Sequence, residues 1–359
     1  MLLFSNLRKY FLESNIYFNQ TLHYTNNIAT NRSSNLPNYV LDLPALIEYD
    51  QNGKLQKESW YKNNKLHRKD LPAEIEYYEN GQHSRESWYI NGKYYREGDF
   101  PALIVYYESG QLRGQSWHKN REGNLPVTII YYESGQLKGQ SWNKNREGDL
   151  PDEIYYFESG QPSSETWYKN REGDLPSVIQ YYESGQIQMQ SWHKNREEDL
   201  PSVIHYYESG QTQIQRWHKN GKLHRKGDLP AKIEHYENGQ PKIETWFKYN
   251  ELHREGDLPS VIHYYENGQP ETERWYEGGK FHREDLPARI DYFKNGQLKR
   301  QIWYKDGKKH REGDLPADIR YYYYGGLRPK VQIWYNYGIK YREGNLSSRI
   351  EYDKHGHRK

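Results

Sequence analysis

The sequence predicts an all-β chain: an elongated open array of antiparallel β-hairpin repeats, about 22 strands at two per repeat. Three observations carry that prediction. The motif Asp/Asn-Leu-Pro, with minor variation, opens repeats at Asp42, Asp70, Asp99, Asn124, Asp149, Asp174, Asp199, Asp228, Asp257, Asp285, Asp314 and Asn345. The interval between starts stays between twenty-five and thirty-one positions, and every repeat carries Ile at its sixth position, from Ile47 to Ile350. Each of the eleven full repeats holds a single Trp, which accounts for all 11 tryptophans. A period of this size overrides the two or three globular domains that 359 residues would otherwise suggest.

Residues 1–41 stand apart as a non-repeat leader or cap. Leu2, Leu3, Phe4, Leu7, Phe11 and Leu12 sit at roughly helical spacing, followed by an Asn/Ser/Thr-rich stretch from Asn15 to Asn38. The segment reads either as a short amphipathic helix with a partly flexible linker or as a cover for the first hairpin. Residues 42–344 hold the eleven repeats, and 345–359 hold a truncated twelfth with a polar tail ending Lys354-His-Gly-His-Arg-Lys359.

Within a repeat the first half reads as a strand. Ile and, two residues on, Tyr (His235 in one case) are a β-branched and an aromatic residue at period two. Glu-Asn-Gly or Glu-Ser-Gly then supplies a hairpin turn. The second strand ends at the Trp ladder: Trp60, Trp88, Trp117, Trp142, Trp167, Trp192, Trp217, Trp246, Trp275, Trp303 and Trp334. The recurrent Pro sits at a strand start, where its missing N–H is tolerated. The four short repeats, opening at Asp99, Asn124, Asp149 and Asp174, lack four residues of the second turn. The eleventh repeat gains two near Tyr321 to Arg328. Even changes preserve the face each strand turns to the core. The repeats opening at Asp42 and Asp257 break parity only by lacking the Gly before Asp70 and Asp285.

Two registers are open. A two-residue turn places Ile233, His235 and Trp246 on one face. A three-residue turn with a Gly bulge groups Ile233 with Ile243 and Phe247 and puts Trp246 opposite. Leu112, Leu137, Ile187 and Leu298 after the turn favour the bulged form. An isolated hairpin is marginal in water, so each must bury its rings against its neighbours. One Trp buries about 150–250 Å², enough to stand in for missing aliphatics.

Composition narrows the function. With no cysteine there is no disulfide framework, Cys-based zinc site or thiol nucleophile, and a reducing compartment fits. The longest apolar run at the start, Met1 to Phe4, is too short for a signal peptide or a membrane span. The chain carries 51 Lys+Arg against 49 Asp+Glu, and the leader's Arg8, Lys9, Arg32 and Glu13 leave the repeats neutral. Neutrality argues against nucleic acid and against a basic membrane-binding face. No catalytic, cofactor-binding or metal residue is expected. Eleven near-copies of one surface do not make the asymmetric constellation an active site needs. His218 and His224 lack a third metal ligand. The Arg that recurs from Arg68 to Arg342, two or three residues before each Asp/Asn, reads as a charged ladder with those acids. The Trp ladder reads as core or as an interaction surface. The expected partner is another protein or a second copy of the chain; the alternative is a multivalent array for glycans or membrane lipid head groups, using the Tyr and Trp rings.

Tyr77-Tyr-Glu-Asn-Gly81 and Tyr264 to Gly268, with Trp303-Tyr-Lys-Asp-Gly-Lys308, resemble variant MORN repeats over residues 42–359. Long arrays with His-Arg-Glu-Gly-Asp-Leu-Pro joints are similar to proteins of giant DNA viruses. The resemblance implies an elongated antiparallel hairpin sheet, a non-catalytic scaffolding or self-association role, and a place in a host cytoplasm or virion. Gln, Lys and Arg replace the further glycines that standard MORN units place after the aromatic strand, which counts against lipid binding.

Overall fold

A computed structural model of the chain describes residues 22–23, 42–119, 121, 125–142, 149–169, 174–193, 200–324, 326–344 and 346–359. Among these are strands and turns and no helix. The chain divides into two compact units, Met1–Pro162 and Ser163–Lys359. In the first, nine sheet strands run from Leu46–Tyr49 to Glu153–Tyr156, and the pairings join each to the next in antiparallel order. Leu22 and His23 pair with Ile47 and Leu46 beside the first of these strands. The helix expected earlier in the leader lies outside the described residues. In the second unit, thirteen strands run from Val178–Tyr181 to Arg349–Glu351 in the same consecutive manner. Each sheet is open.

The hairpin of Lys232–His235 and Pro241–Thr245 shows how sequence sets register. Tyr236 N–H donates to Gln240 O at 2.9 Å, and Gly239 N–H donates to Tyr236 O at 2.9 Å. Three residues therefore lie between the paired ends, with Gly239 at φ 84°. A side chain is strained at that angle, which is why Gly closes the turn. Asn238 Oδ1 accepts from Gln240 N–H at 2.9 Å and fixes the turn from its side chain.

The bulged turn thus forms, but the grouping expected from it does not. One step into the hairpin a second bulge follows. His235 pairs with Pro241 and Glu234 with Ile243, so Lys242 has no cross-strand partner. The extra residue shifts register by one and turns Ile243 to the opposite face. Ile233 faces Glu244 instead. Trp246, two residues past Glu244, shares the Ile233 face by strand alternation. The same shift recurs in hairpin after hairpin, for example at Glu76/Tyr77, Val105/Tyr106 and Asp291/Tyr292.

Each main sheet keeps two strands per repeat, as expected, but a further element appears beside it. The longer repeats add a small hairpin after Trp, such as Phe247–Lys248 with Glu251–Leu252 or Tyr304–Lys305 with Lys308–Lys309. Among the described residues the four short repeats have none. Their four-residue deletion falls where that hairpin stands in the longer repeats. Where small hairpins are neighbours they stack by backbone bonds, Asn250 N–H to Leu223 O at 3.0 Å and Gly307 N–H to Phe281 O at 2.9 Å.

The core is built from the Trp and from the fourth residue of the repeat, which is small almost throughout. Ala73, Ala231, Ala288 and Ala317 have no exposed surface. The residue's carbonyl accepts from the Trp N–H of the preceding repeat, as Ala231 O does from Trp217 N–H at 2.9 Å. The position is buried against the neighbouring strand, and Val127 and Asp152 are the largest residues it holds. Around Trp303 and Ala317 the cluster extends to Ile319, Tyr321 and Tyr335.

Candidate functional site

The residues that define the motif converge at each joint between repeats. Trp246 is buried, and the Arg254 guanidinium carbon, eight residues on, lies over its ring at 3.9 Å. The Arg254 fork reaches back to the Asp that opened its own repeat, Nε to Asp228 Oδ1 at 2.6 Å and Nη2 to Oδ2 at 2.7 Å. Its remaining nitrogen, Nη1, donates forward to Pro259 O of the next repeat at 3.3 Å. One guanidinium therefore joins an indole, a carboxylate and the start of the following strand. Arg283 does the same with Trp275, Asp257 and Pro287. Arg68 combines Trp60, Asp42 and Pro72.

The clasp does not depend on the small hairpin. In the short repeat that opens at Asp99, Arg121 is only four residues after Trp117, yet it stacks at 4.0 Å and bonds to Asp99 and Pro126 O. These bonds hold the Asp99, Asp228, Asp257 and Asp314 carboxylates below their ordinary range. Arg146, Arg171 and Arg196 lie outside the described residues.

Of the Trp ladder, Trp60, Trp88, Trp117, Trp167, Trp217, Trp246, Trp275, Trp303 and Trp334 are 4–7% exposed. Trp142 and Trp192 are half-buried. Two tyrosine ladders run beside it. The first Tyr of each pair donates to the Glu or Gln two residues before the preceding Trp: Tyr264 to Glu244 at 2.6 Å, Tyr292 to Glu273 at 2.7 Å and Tyr321 to Gln301 at 2.6 Å. The second Tyr donates forward to the backbone of the next repeat, as Tyr236 does to Tyr264 O at 2.8 Å. Burial, reinforced by Glu86, pushes the Tyr106 phenol up to about 12. Burial and the bonded Glu raise Tyr264 and Tyr292 in the same way.

Several histidines are held by ring stacking or hydrogen bonds. His224 stacks on Tyr249 at 4.4 Å and His310 on Tyr337 at 4.1 Å. His218 sits opposite Leu223, not His224, and bonds Ser202 at 2.7 Å. Among the described residues no group of His, Asp or Glu could hold a metal ion, and no helix is long and apolar enough to cross a membrane.

Two features escaped the sequence reading. The Arg–Trp stack left a signal in the constant Trp-to-Arg offset of eight, or four in short repeats. The leucine of Asp-Leu-Pro is the other. It stays 39–55% exposed in every described copy, with Phe100 standing in for it once. In the second compact unit the row runs through Leu175, Leu200, Leu229, Leu258, Leu286, Leu315 and Leu346.

Residues 46–63, the first hairpin through Trp60, match the family model of the MORN repeat variant. No curated protein matches the chain. Solved structures with some similarity include those of TcdB2-TccC3-TEV, at 11% identity and a TM-score of 0.14, and TcdB2-TccC3, at 12% and 0.15. The matches cover 87% and 86% of this chain but 20% and 19% of those chains. The chain thus spans about a fifth of their length, and scores this low support no inference about fold or function.

Proposed function

We propose that this chain, whose first hairpin matches the MORN repeat variant and whose other repeats copy it, is a non-catalytic scaffold that associates with a second copy of itself. The row of half-exposed leucines, one per joint, carries the reading. The other motif side chains, Trp, Arg, Asp and Tyr, are engaged in ring contacts and hydrogen bonds within and between repeats, whereas Leu leaves about half its surface exposed. A second copy is the one partner whose leucine pitch matches at every joint by construction. Burying each remaining half of a Leu contributes on the order of 1 kcal/mol. Seven in register then approach the roughly 4–15 kcal/mol entropic cost of association.

The Tyr/Trp ladder is a poorer platform for glycan or lipid head groups. Nine of the eleven indoles are buried and two half-buried, and the described arginines of the clasps cover ring faces a sugar would need. A reducing, cytoplasmic setting suits a chain without cysteine. Sedimentation equilibrium tests self-association. The wild-type chain is expected to dimerise at micromolar concentration, and Leu229→Ser/Leu258→Ser/Leu286→Ser to weaken the dimer at least tenfold with an unchanged far-UV spectrum. A wild-type chain that remains monomeric at 100 times the expected concentration sinks the proposal.

A further inference from the structure

Among the described residues two joints depart from the clasp, and both lack the same residue. Where Gly precedes Asp, as at Gly227-Asp228, the glycine takes the positive φ (73°) and the carboxylate meets its arginine. At Lys69-Asp70 and Glu284-Asp285 that Gly is absent, and the Asp itself adopts φ 66° and 54°. An i to i+2 bond closes each tight turn, Leu71 N–H to Lys69 O at 2.8 Å and Leu286 N–H to Glu284 O at 2.6 Å. The arginines at the far ends of these two repeats, Arg96 and Arg311, still stack on Trp88 and Trp303 at 3.9 and 3.8 Å. Their Nη1 groups still donate to Pro101 O and Pro316 O. Among the described residues, however, neither Arg forms an ion pair, and Nε and Nη2 have no hydrogen-bond partner.

We propose that the Arg96 and Arg311 forks are carboxylate-binding sites for acidic side chains of a partner polypeptide. The same fork, held by the same indole and the same proline carbonyl, grips a carboxylate at Arg68, Arg121, Arg254 and Arg283, and on its indole Arg342 does likewise. Bidentate Arg–carboxylate geometry is the strong form of this pairing, and the indole stack has already fixed the guanidinium plane. Burial lowers both arginines from their usual range, whereas Asp314 raises Arg342. Nearby acids do not fill the Arg311 fork: Glu312 is held by Lys305 at 2.7 Å. At Arg96 the fork adjoins the exposed row, with Phe100 5.2 Å from its guanidinium, but the proposal does not rest on dimerisation, and the arginine readout separates the two.

Nitrogen-15 TROSY spectra of the arginine Nε–H groups, titrated with a blocked hexaglutamate peptide and separately with inorganic phosphate, test this. Arg96 and Arg311 are expected to shift saturably with peptide, at least tenfold more than Arg254 and Arg283. Inserting Gly between Glu284 and Asp285 should let Asp285 occupy the fork and abolish the Arg311 response while that of Arg96 persists. Equal responses at Arg254 and Arg283 in the unaltered chain would overturn the proposal whether or not the insertion variant folds. So would an Arg311 response that survives the insertion, or saturation by phosphate at tenfold lower concentration than by peptide.

Discussion

At the clasped joints one guanidinium, that of Arg68, Arg121, Arg254 or Arg283, meets a ring face, a carboxylate and a carbonyl in three directions, which a lysine ammonium has no geometry to reproduce. The same economy governs the tyrosines, whose hydroxyls each tie one repeat to a neighbour. Tyr106 titrates near 12 in the folded chain, and Tyr264 and Tyr292 are raised similarly. Unfolded tyrosine titrates near about 10. The folded state therefore holds these protons more tightly. Their contribution to stability is complete below about pH 10 and is lost as pH rises through about 12 for Tyr106. Urea denaturation at pH 8, 10 and 11.5 is expected to show that decline. In Tyr106→Phe/Tyr264→Phe/Tyr292→Phe the slope between pH 10 and 11.5 should be shallower, because the groups that release protons are gone. An unchanged slope in that variant would show that other groups drive the alkaline transition.

At the scale of the hairpin and its joint, glycine placement decides which clasp forms. Asp285 occupies φ 54° in a turn that neighbouring joints assign to Gly. A non-glycine residue there costs on the order of 1 kcal/mol. Inserting Gly before Asp285 relieves that cost and supplies Arg311 with a carboxylate worth about 0.2–1 kcal/mol at an exposed site. A loop one residue longer subtracts little. Chemical denaturation should report a gain of about 1 kcal/mol; a loss of that size would mean the tight turn is itself required. The Ile-x-Tyr strand, the Gly turn and the terminal Trp were all legible, because each has a residue type with a strong conformational or burial preference. Register was not. The residue left unpaired by the second bulge is Gln56, Ser84, Arg113, Lys242 or Glu271 in different repeats. Pro241 and Pro270 precede it in two repeats and Gly114 follows it in another, but no residue type is constant there, so the composition of the strand does not announce it. The small hairpin was hidden for a related reason. Two-residue strands such as Lys222–Leu223 are too short to show a period. The Arg–Trp stack needed one to ask why a four-residue deletion moves Arg relative to Trp without moving it off the ring.

Across either compact unit, each sheet strand pairs with the next in sequence, and the clasps and tyrosine bonds also reach only the adjoining repeat. Stability then accumulates as a sum of repeat and nearest-neighbour interface contributions. That makes the consequence of a core lesion local. Trp246→Ala removes a buried indole and the surface on which Arg254 lies, and such truncations cost about 3–5 kcal/mol. In a globular core the loss would lower the protection of every amide alike. In an array it should fall on the repeats that share the interface. Native-state hydrogen exchange is expected to show the non-proline amides of Lys232–His235, Pro241–Thr245 and Val261–Tyr264 exchanging at least 100-fold faster in the variant. Amides of Asp318–Tyr321 and Pro329–Ile333, two repeats beyond, should keep wild-type rates. Uniform acceleration across both sets would instead require coupling that bypasses the chain of adjacent clasps, and the nearest-neighbour account would fail.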